Sequence, residues 1–230
     1  MGHKINPFSY RLGINQQWKS KWFPKGNLNF KDALEEDVLL RKIIRDHLKS
    51  VGYGDIEIDR RQNNIYEINI ESARPGLVIG KGGKGIEDLR KKVIKGLTKL
   101  FSKRGVKNSK YTLNINIKEI TKPEISAKHI VQLIAWDLEK RIPYRRTIKK
   151  YLQRVSQFRE VKGVKIRVGG RLDGADIHRK DQIIYGSMPL NTLRSKIDYA
   201  EGTAFATYGT VGIKLWLYFG DILELEKNEL

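Results

Sequence analysis

The feature that most constrains this chain is a run of glycine and lysine set between two hydrophobic patterns of different period. Gly80-Lys81-Gly82-Gly83-Lys84-Gly85 places four glycines in six residues. Upstream, Ile56 and Ile58, then Tyr66, Ile68 and Ile70, alternate with polar residues as in half-buried strands, with Asn63-Asn64 as the turn of a hairpin. Downstream, Ile86, Leu89, Val93, Leu97 and Leu100 recur at helical spacing. Arg74-Pro75-Gly76 breaks the second strand, so the loop joins a very short helix to a long one. Glycines let the main chain turn with positive φ and approach a ligand closely, with free N–H groups of a helix start behind them.

Three chemistries use such loops. The six residues fit the dinucleotide fingerprint G-x-G-x-x-G, but a Pro-Gly break stands where the first strand is needed. Lys103-Arg104-Gly105-Val106 supplies no acid for a ribose about 20 residues on. No register yields the G-x-x-x-x-G-K-[ST] loop of nucleotide hydrolysis. The third is G-x-x-G clamping a nucleic-acid backbone, with Lys81 and Lys84 as counter-charge. Asp37 is a plausible cap of a preceding helix striped by Leu40, Ile43, Ile44, Leu48 and Val51, and Leu113, Ile115 and Ile117 form a third strand. The order helix, strand, strand, short helix, G-x-x-G, helix, strand resembles the KH domain in its type II arrangement, a binder of single-stranded RNA or DNA.

Thr121-Lys122-Pro123 marks the best boundary, giving an arm at 1–31, a first domain at 32–120, a second at 121–223 and a tail at 224–230. In the second domain Ser126 caps a helix carrying Ala127, Ile130, Val131, Ile134 and Leu138, and Pro143 opens another over Tyr144–Arg159. Strands follow at Val164–Val168, near Ile177–Tyr185 and at Val211–Leu217. The expected class is α+β, the second domain having two helices on a mostly antiparallel sheet.

Forty-five Lys and Arg against 26 Asp and Glu give a net charge of +19, which calls for a polyanionic partner. There is no cysteine, and the four histidines are scattered, so neither a disulfide framework nor a metal site is expected. No cofactor and no small-molecule substrate is implied. No apolar run of membrane-spanning length and no signal-peptide core occurs, and Asn6 spoils a myristoylation motif, so a cytoplasmic protein without a membrane partner is expected. No catalytic constellation stands out; Asp173, Asp176, His178 and Asp181 more simply balance Arg171, Arg179 and Lys180.

From Lys140 to Glu160 there are eight Lys or Arg and one acid. Tyr144, Ile148, Tyr151, Leu152, Val155 and Phe158 fall on one arc, leaving Arg145, Arg146, Lys149, Lys150 and Arg154 opposite. A solvated helix usually interleaves acids with its bases; this one does not, which points to phosphate contact. Lys4, Arg11, Lys19, Lys21, Arg159, Arg167, Arg171 and Arg179 are further candidate contacts to RNA.

Three stretches make a more specific resemblance. Met1-Gly2-His3-Lys4-Ile5-Asn6-Pro7 with Arg11-Leu12-Gly13-Ile14, then Ala73 to Lys81, then Pro189-Leu190-Asn191-Thr192-Leu193-Arg194 with Ile197-Asp198-Tyr199 and Thr207 to Trp216 resemble the bacterial-type small ribosomal subunit protein three family. Phe8-Ser9-Tyr10 stands in place of that family's glycine-containing spacer, and Lys99–Lys110 is longer and more basic than usual. The resemblance implies a structural protein bound to ribosomal RNA of the subunit head. Its neighbours would be small-subunit proteins ten and fourteen, with four and five at the channel by which messenger RNA enters. It also implies that Arg145, Arg146 and Lys149, with Lys150 beside them, line that path and help open message structure. A free KH-type RNA chaperone is the first rival reading, and an unpatterned aromatic arm speaks against it; a nucleotide-dependent enzyme is the second.

Overall fold

The computed structural model describes residues 4–23, 27–49, 51–61, 65–105 and 111–222, without the side chains of 27–29. The Asn63-Asn64 turn, residues 106–110 of the basic loop and the tail at 224–230 lie outside them. In chain order the elements are α1 (Pro7–Tyr10), β1 (Ser20–Lys21), α2 (Asn27–Leu48), β2 (Tyr53–Arg61), β3 (Ile65–Ser72), α3 (Pro75–Ile79), α4 (Lys84–Lys103) and β4 (Thr112–Glu119). Then come α5 (Ala127–Glu139), α6 (Tyr144–Ser156), β5 (Gly163–Gly170), β6 (Arg179–Gly186), β7 (Ser195–Ala206) and β8 (Gly209–Asp221). The chain forms two compact units: residues 18–121, and 122 onward joined by the segment up to Gln17.

In the first unit the sheet order is β1-β2-β3-β4. β2 and β3 are antiparallel with Ile58 opposite Ile68, and β4 runs parallel to β3 with Ile68 beside Ile115. The alternation read from the sequence is the burial pattern: Ile56, Ile58, Tyr66, Ile68 and Ile70 are buried against Leu40, Ile44 and Leu48 of α2 and Leu89, Val93 and Leu97 of α4. Each such side chain contributes about 1.5–3 kcal/mol on leaving water. The helix, strand, strand, helix, G-x-x-G, helix, strand order implied by the KH resemblance is present.

Asp37 is not the cap of α2, which begins at Asn27. Its carboxylate is buried, accepting from Arg41 Nε (3.0 Å) and Ser20 Oγ (2.6 Å), so a residue type suited to capping serves a tertiary tie instead. The preceding residue, Glu36, accepts from Arg60 (2.7 Å), Arg104 (2.7 Å) and Tyr66 Oη (2.7 Å). This buried charge is fully partnered, and removing one partner of such a group costs about 3–5 kcal/mol.

The second unit lays α5 and α6 on an antiparallel sheet of order β6-β5-β8-β7. Sequence reading missed β7, whose inward positions include the small Ala200 and Ala204. Ser126 precedes α5 without a side-chain cap bond; Asp198 from β7 accepts from Ala127 N (2.8 Å) instead. Likewise Asp173 accepts from Tyr144 N (3.1 Å) at the start of α6. Remote carboxylates thus supply both N-terminal caps, favoured by the positive end of each helix dipole. α6 ends at Ser156, so Phe158 and Arg159 lie beyond it rather than on its last turn.

The stretch read as an arm divides. Its first part folds onto the second unit, while Ser20 and Lys21 form β1 in parallel with β2 of the first.

Candidate nucleic-acid interface

The glycine loop is built by backbone constraint. α3 starts on Pro75, a residue already set for a first helical turn, and stops at Gly80, whose φ is 71°. A Cβ on Gly85 would lie 2.3 Å from the Val78 carbonyl oxygen, so α4 can pass this close to α3 only as glycine. Gly82 and Gly83 differ: both have positive φ, and a Cβ on either would meet nothing within 4 Å. Two glycines therefore fold the loop, and two leave bare main chain facing open space. Lys81 and Lys84 are exposed beside them, with no carboxylate partner among the described residues. Glu87 in the first turn of α4 favours the helix dipole and sets a limit to how anionic a ligand can be there.

Next to α4 and the edge strand β4 lies a cavity of about 410 Å³. Ile86, Arg90, Leu113, Asn114, Ile115 and Asn116 are among its lining residues. Arg61 and Glu67, paired at 2.7 Å, complete the lining, so amides, a second guanidinium on Arg90 and a few apolar side chains are what the cavity offers an unstacked base. The sequence reading passed over Arg90, Asn114 and Asn116. The available signal was the asparagines alternating with Leu113, Ile115 and Ile117; among the described residues β4 pairs with β3 alone.

On α6, Tyr144, Ile148, Tyr151 and Val155 are buried as expected, together with Thr147. Arg145, Arg146, Lys149, Lys150 and Arg154 are exposed. They are not equivalent. Lys150 pairs with Asp137 of α5 (3.1 Å) and Arg154 with Glu124 (2.8 Å), acids that the helix's own sequence does not contain. Arg145 Nε donates to Tyr144 Oη (3.0 Å), and that contact raises its pKa above the ordinary value. Asp137 also accepts from Tyr151 Oη (3.0 Å); burial, and then this hydrogen bond, push that phenol well up. Arg146 and Lys149 remain as exposed cations with no acidic partner among the described residues.

The scattered candidates separate in the same way. Arg11 cannot touch RNA: it is fully buried, and its guanidinium donates to the carbonyls of Ser195 (2.9 Å), Pro7 (3.1 Å), Leu190 (3.0 Å) and Thr192 (2.8 Å). Lys19 is held by Asp55 (2.5 Å) and Lys21 by Glu57 (3.1 Å), both across the β1–β2 pair. Arg171 folds back on Ala175 O (2.9 Å) and Asp176 (3.0 Å), closing its own loop. Arg159, Arg167 and Arg179 are exposed, as is Lys4. Among the described residues no cluster of three or more His, Asp or Glu is placed to hold a metal ion.

Comparison with known proteins agrees with this geometry. Residues 39–125 match the KH domain family, and residues 134–217 match the family described as ribosomal protein S3, C-terminal domain. The chain is 44% identical over 229 residues to the small ribosomal subunit protein uS3 of Lactobacillus gasseri, covering 100% of this chain and 96% of that one. It is 41% identical to that of Leuconostoc citreum over 99% of both chains. The protein of the same name from Solibacter usitatus is 40% identical over 99% of this chain, which spans 62% of that longer relative. A KH fold with a G-x-x-G loop, the S3 C-terminal domain behind it, and full-length identity of this order together place the chain in the uS3 family of small ribosomal subunit proteins.

Proposed function

We propose that this chain is a structural protein of the small ribosomal subunit, mounted on ribosomal RNA of the subunit head, whose α6 face lines the path of incoming messenger RNA. Membership of a non-enzymatic ribosomal family supports the first part and puts the chain on the cytoplasmic ribosome. Among the described residues no helix is long and apolar enough to cross a membrane. Proteins ten and fourteen would be its neighbours in the head, with four and five across the channel.

The observation that carries the second part is the α6 face. Arg145, Arg146 and Lys149 stand exposed on a helix whose opposite side is locked into the core. A rigid row of cations captures phosphates of a strand that has just opened. The chain has no nucleotide-hydrolysis loop, so its part in opening message structure is passive capture, with translocation doing the work. The glycine loop offers main-chain N–H groups and Lys81 and Lys84 to a second segment of RNA.

Ribosomes carrying Arg145→Glu, Arg146→Glu and Lys149→Glu test this. They should assemble with one copy of the chain and translate unstructured messages at the normal rate. They should slow at a stable hairpin just ahead of the ribosome. Equal rates through the hairpin would remove the α6 face from the account.

A further inference from the structure

One face of the second sheet is covered by α5 and α6; on the other face a pocket of about 890 Å³ opens. Cross-strand register builds its floor. Lys165 of β5 stands opposite Trp216 of β8, which stands opposite Tyr199 of β7. In the next rank Arg167 faces Lys214, and Lys214 faces Glu201. The Tyr199 and Trp216 rings lie 5.3 Å apart, and the Lys165 ammonium sits 5.4 Å from the Trp216 ring centre.

The walls come from opposite ends of the chain. Lys4, Ile5, Pro7 and Tyr10 form one, and Met188 to Thr192 the other. Buried Arg11 bonds to carbonyls in both, Asn15 Nδ2 donates to Leu193 O (2.8 Å), and Tyr10 Oη donates to Asn191 O (3.3 Å). The N-terminal and C-terminal sequence signatures thus meet here, about 180 residues apart in the chain, and the guanidinium fixes the pocket's shape before any ligand arrives.

Its charge is one-sided. Glu201 accepts from Tyr199 Oη (3.0 Å) and lies 3.7 Å from Lys214. Lys4, Lys165 and Arg167 have no carboxylate partner among the described residues. Burial, then Lys4 and Arg167, hold the Lys165 ammonium below its ordinary pKa, a stress that a bound anion relieves. Cations beside aromatic rings and an apolar wall match a phosphate joined to a flat base. An acidic peptide would meet the cations and leave the rings without a partner.

We propose that this pocket holds one extruded nucleotide of the ribosomal RNA on which the chain is mounted, its phosphate on Lys4, Lys165 and Arg167 and its base against Tyr199 and the edge of Trp216. The site rests on the ribosomal reading above and adds to it a fixed attachment point distinct from the G-x-x-G loop and on the face of the second sheet opposite α6.

Ultraviolet cross-linking of intact small subunits, with adducts mapped by mass spectrometry, tests it. A nucleotide adduct is expected on Tyr199 or Trp216. In subunits carrying Lys165→Gln and Arg167→Gln that adduct should fall at least tenfold, while adducts elsewhere on the chain persist. The chain present at one copy, with adducts elsewhere but none on Tyr199 or Trp216, would overturn the site and leave the ribosomal reading standing. Carbodiimide coupling of Lys4 or Lys165 to a carboxylate of another protein would overturn it in favour of an acidic peptide. Absence of the chain from the subunit would contradict the ribosomal reading itself.

Discussion

The glycine loop and the α6 face are both basic, but they hold their cations differently. At the loop Lys81 and Lys84 flank bare main chain, and no acid reaches them among the described residues. On α6 a denser row of cations is thinned by acids from outside the helix: Asp137 takes Lys150 and Glu124 takes Arg154. A count of acids along one helix sees only neighbours three or four residues away. Tertiary packing brings in others. The lesson is that a charged face read from sequence is an upper bound on the cations open to a ligand. A loop shaped by glycine is closer to what it promises, because its geometry is local.

The sharpest way to break this contrast is at the glycines. Gly85→Ala should destabilise the first unit by about 3 kcal/mol, since its Cβ meets backbone and no side chain can move aside. Gly83→Ala, in open space with φ of 82°, should cost only about 1 kcal/mol. Denaturant unfolding of the full chain reads both, and equal costs would mean that the two glycines do not have separate jobs. Next comes Asp137→Ala. It removes the acceptor of both Tyr151 and Lys150, so a loss of about 2 kcal/mol is expected. RNA affinity should rise at the same time, because an anion leaves and Lys150 is released; a fall would show that Asp137 holds the helix in a binding shape.

The smallest effect separates cations on the same helix. Arg146→Gln with Lys149→Gln should lower the slope of log affinity against log salt by about 1.4, two contacts at about 0.7 each. Lys150→Gln with Arg154→Gln should lower it by less than half as much. Matching drops would mean that the ion pairs on α6 open freely when RNA binds.

Most of the fold is legible in the residues because its signals are periodic. Ile56, Ile58, Ile68 and Ile70 announce a hairpin, and Leu89, Val93 and Leu97 a helix, and all are buried as their spacing requires. What escaped depends on distant partners. Asp37 has the chemistry of a cap and is used in a buried tie to Arg41 and Ser20. Arg11 reads as one more RNA contact and is instead the buried clasp between two ends of the chain. β7 hides behind small inward residues that carry little hydrophobic signal. The unpatterned N-terminal segment was an argument against a free RNA chaperone. Its first part folds onto the second unit and Ser20 and Lys21 join the sheet of the first, so the segment does not distinguish a ribosomal protein from a free chaperone, and family membership does.

The most direct measurement is the copy number of this chain on small subunits sedimented through sucrose at low and at moderate salt. A chaperone held only by phosphate contacts loses affinity steeply as salt rises, whereas a component seated among several partners does not dissociate at moderate salt. The account predicts close to one copy per particle under both conditions. A chain that runs free, or that strips to a small fraction of a copy in the moderate-salt wash, would contradict it.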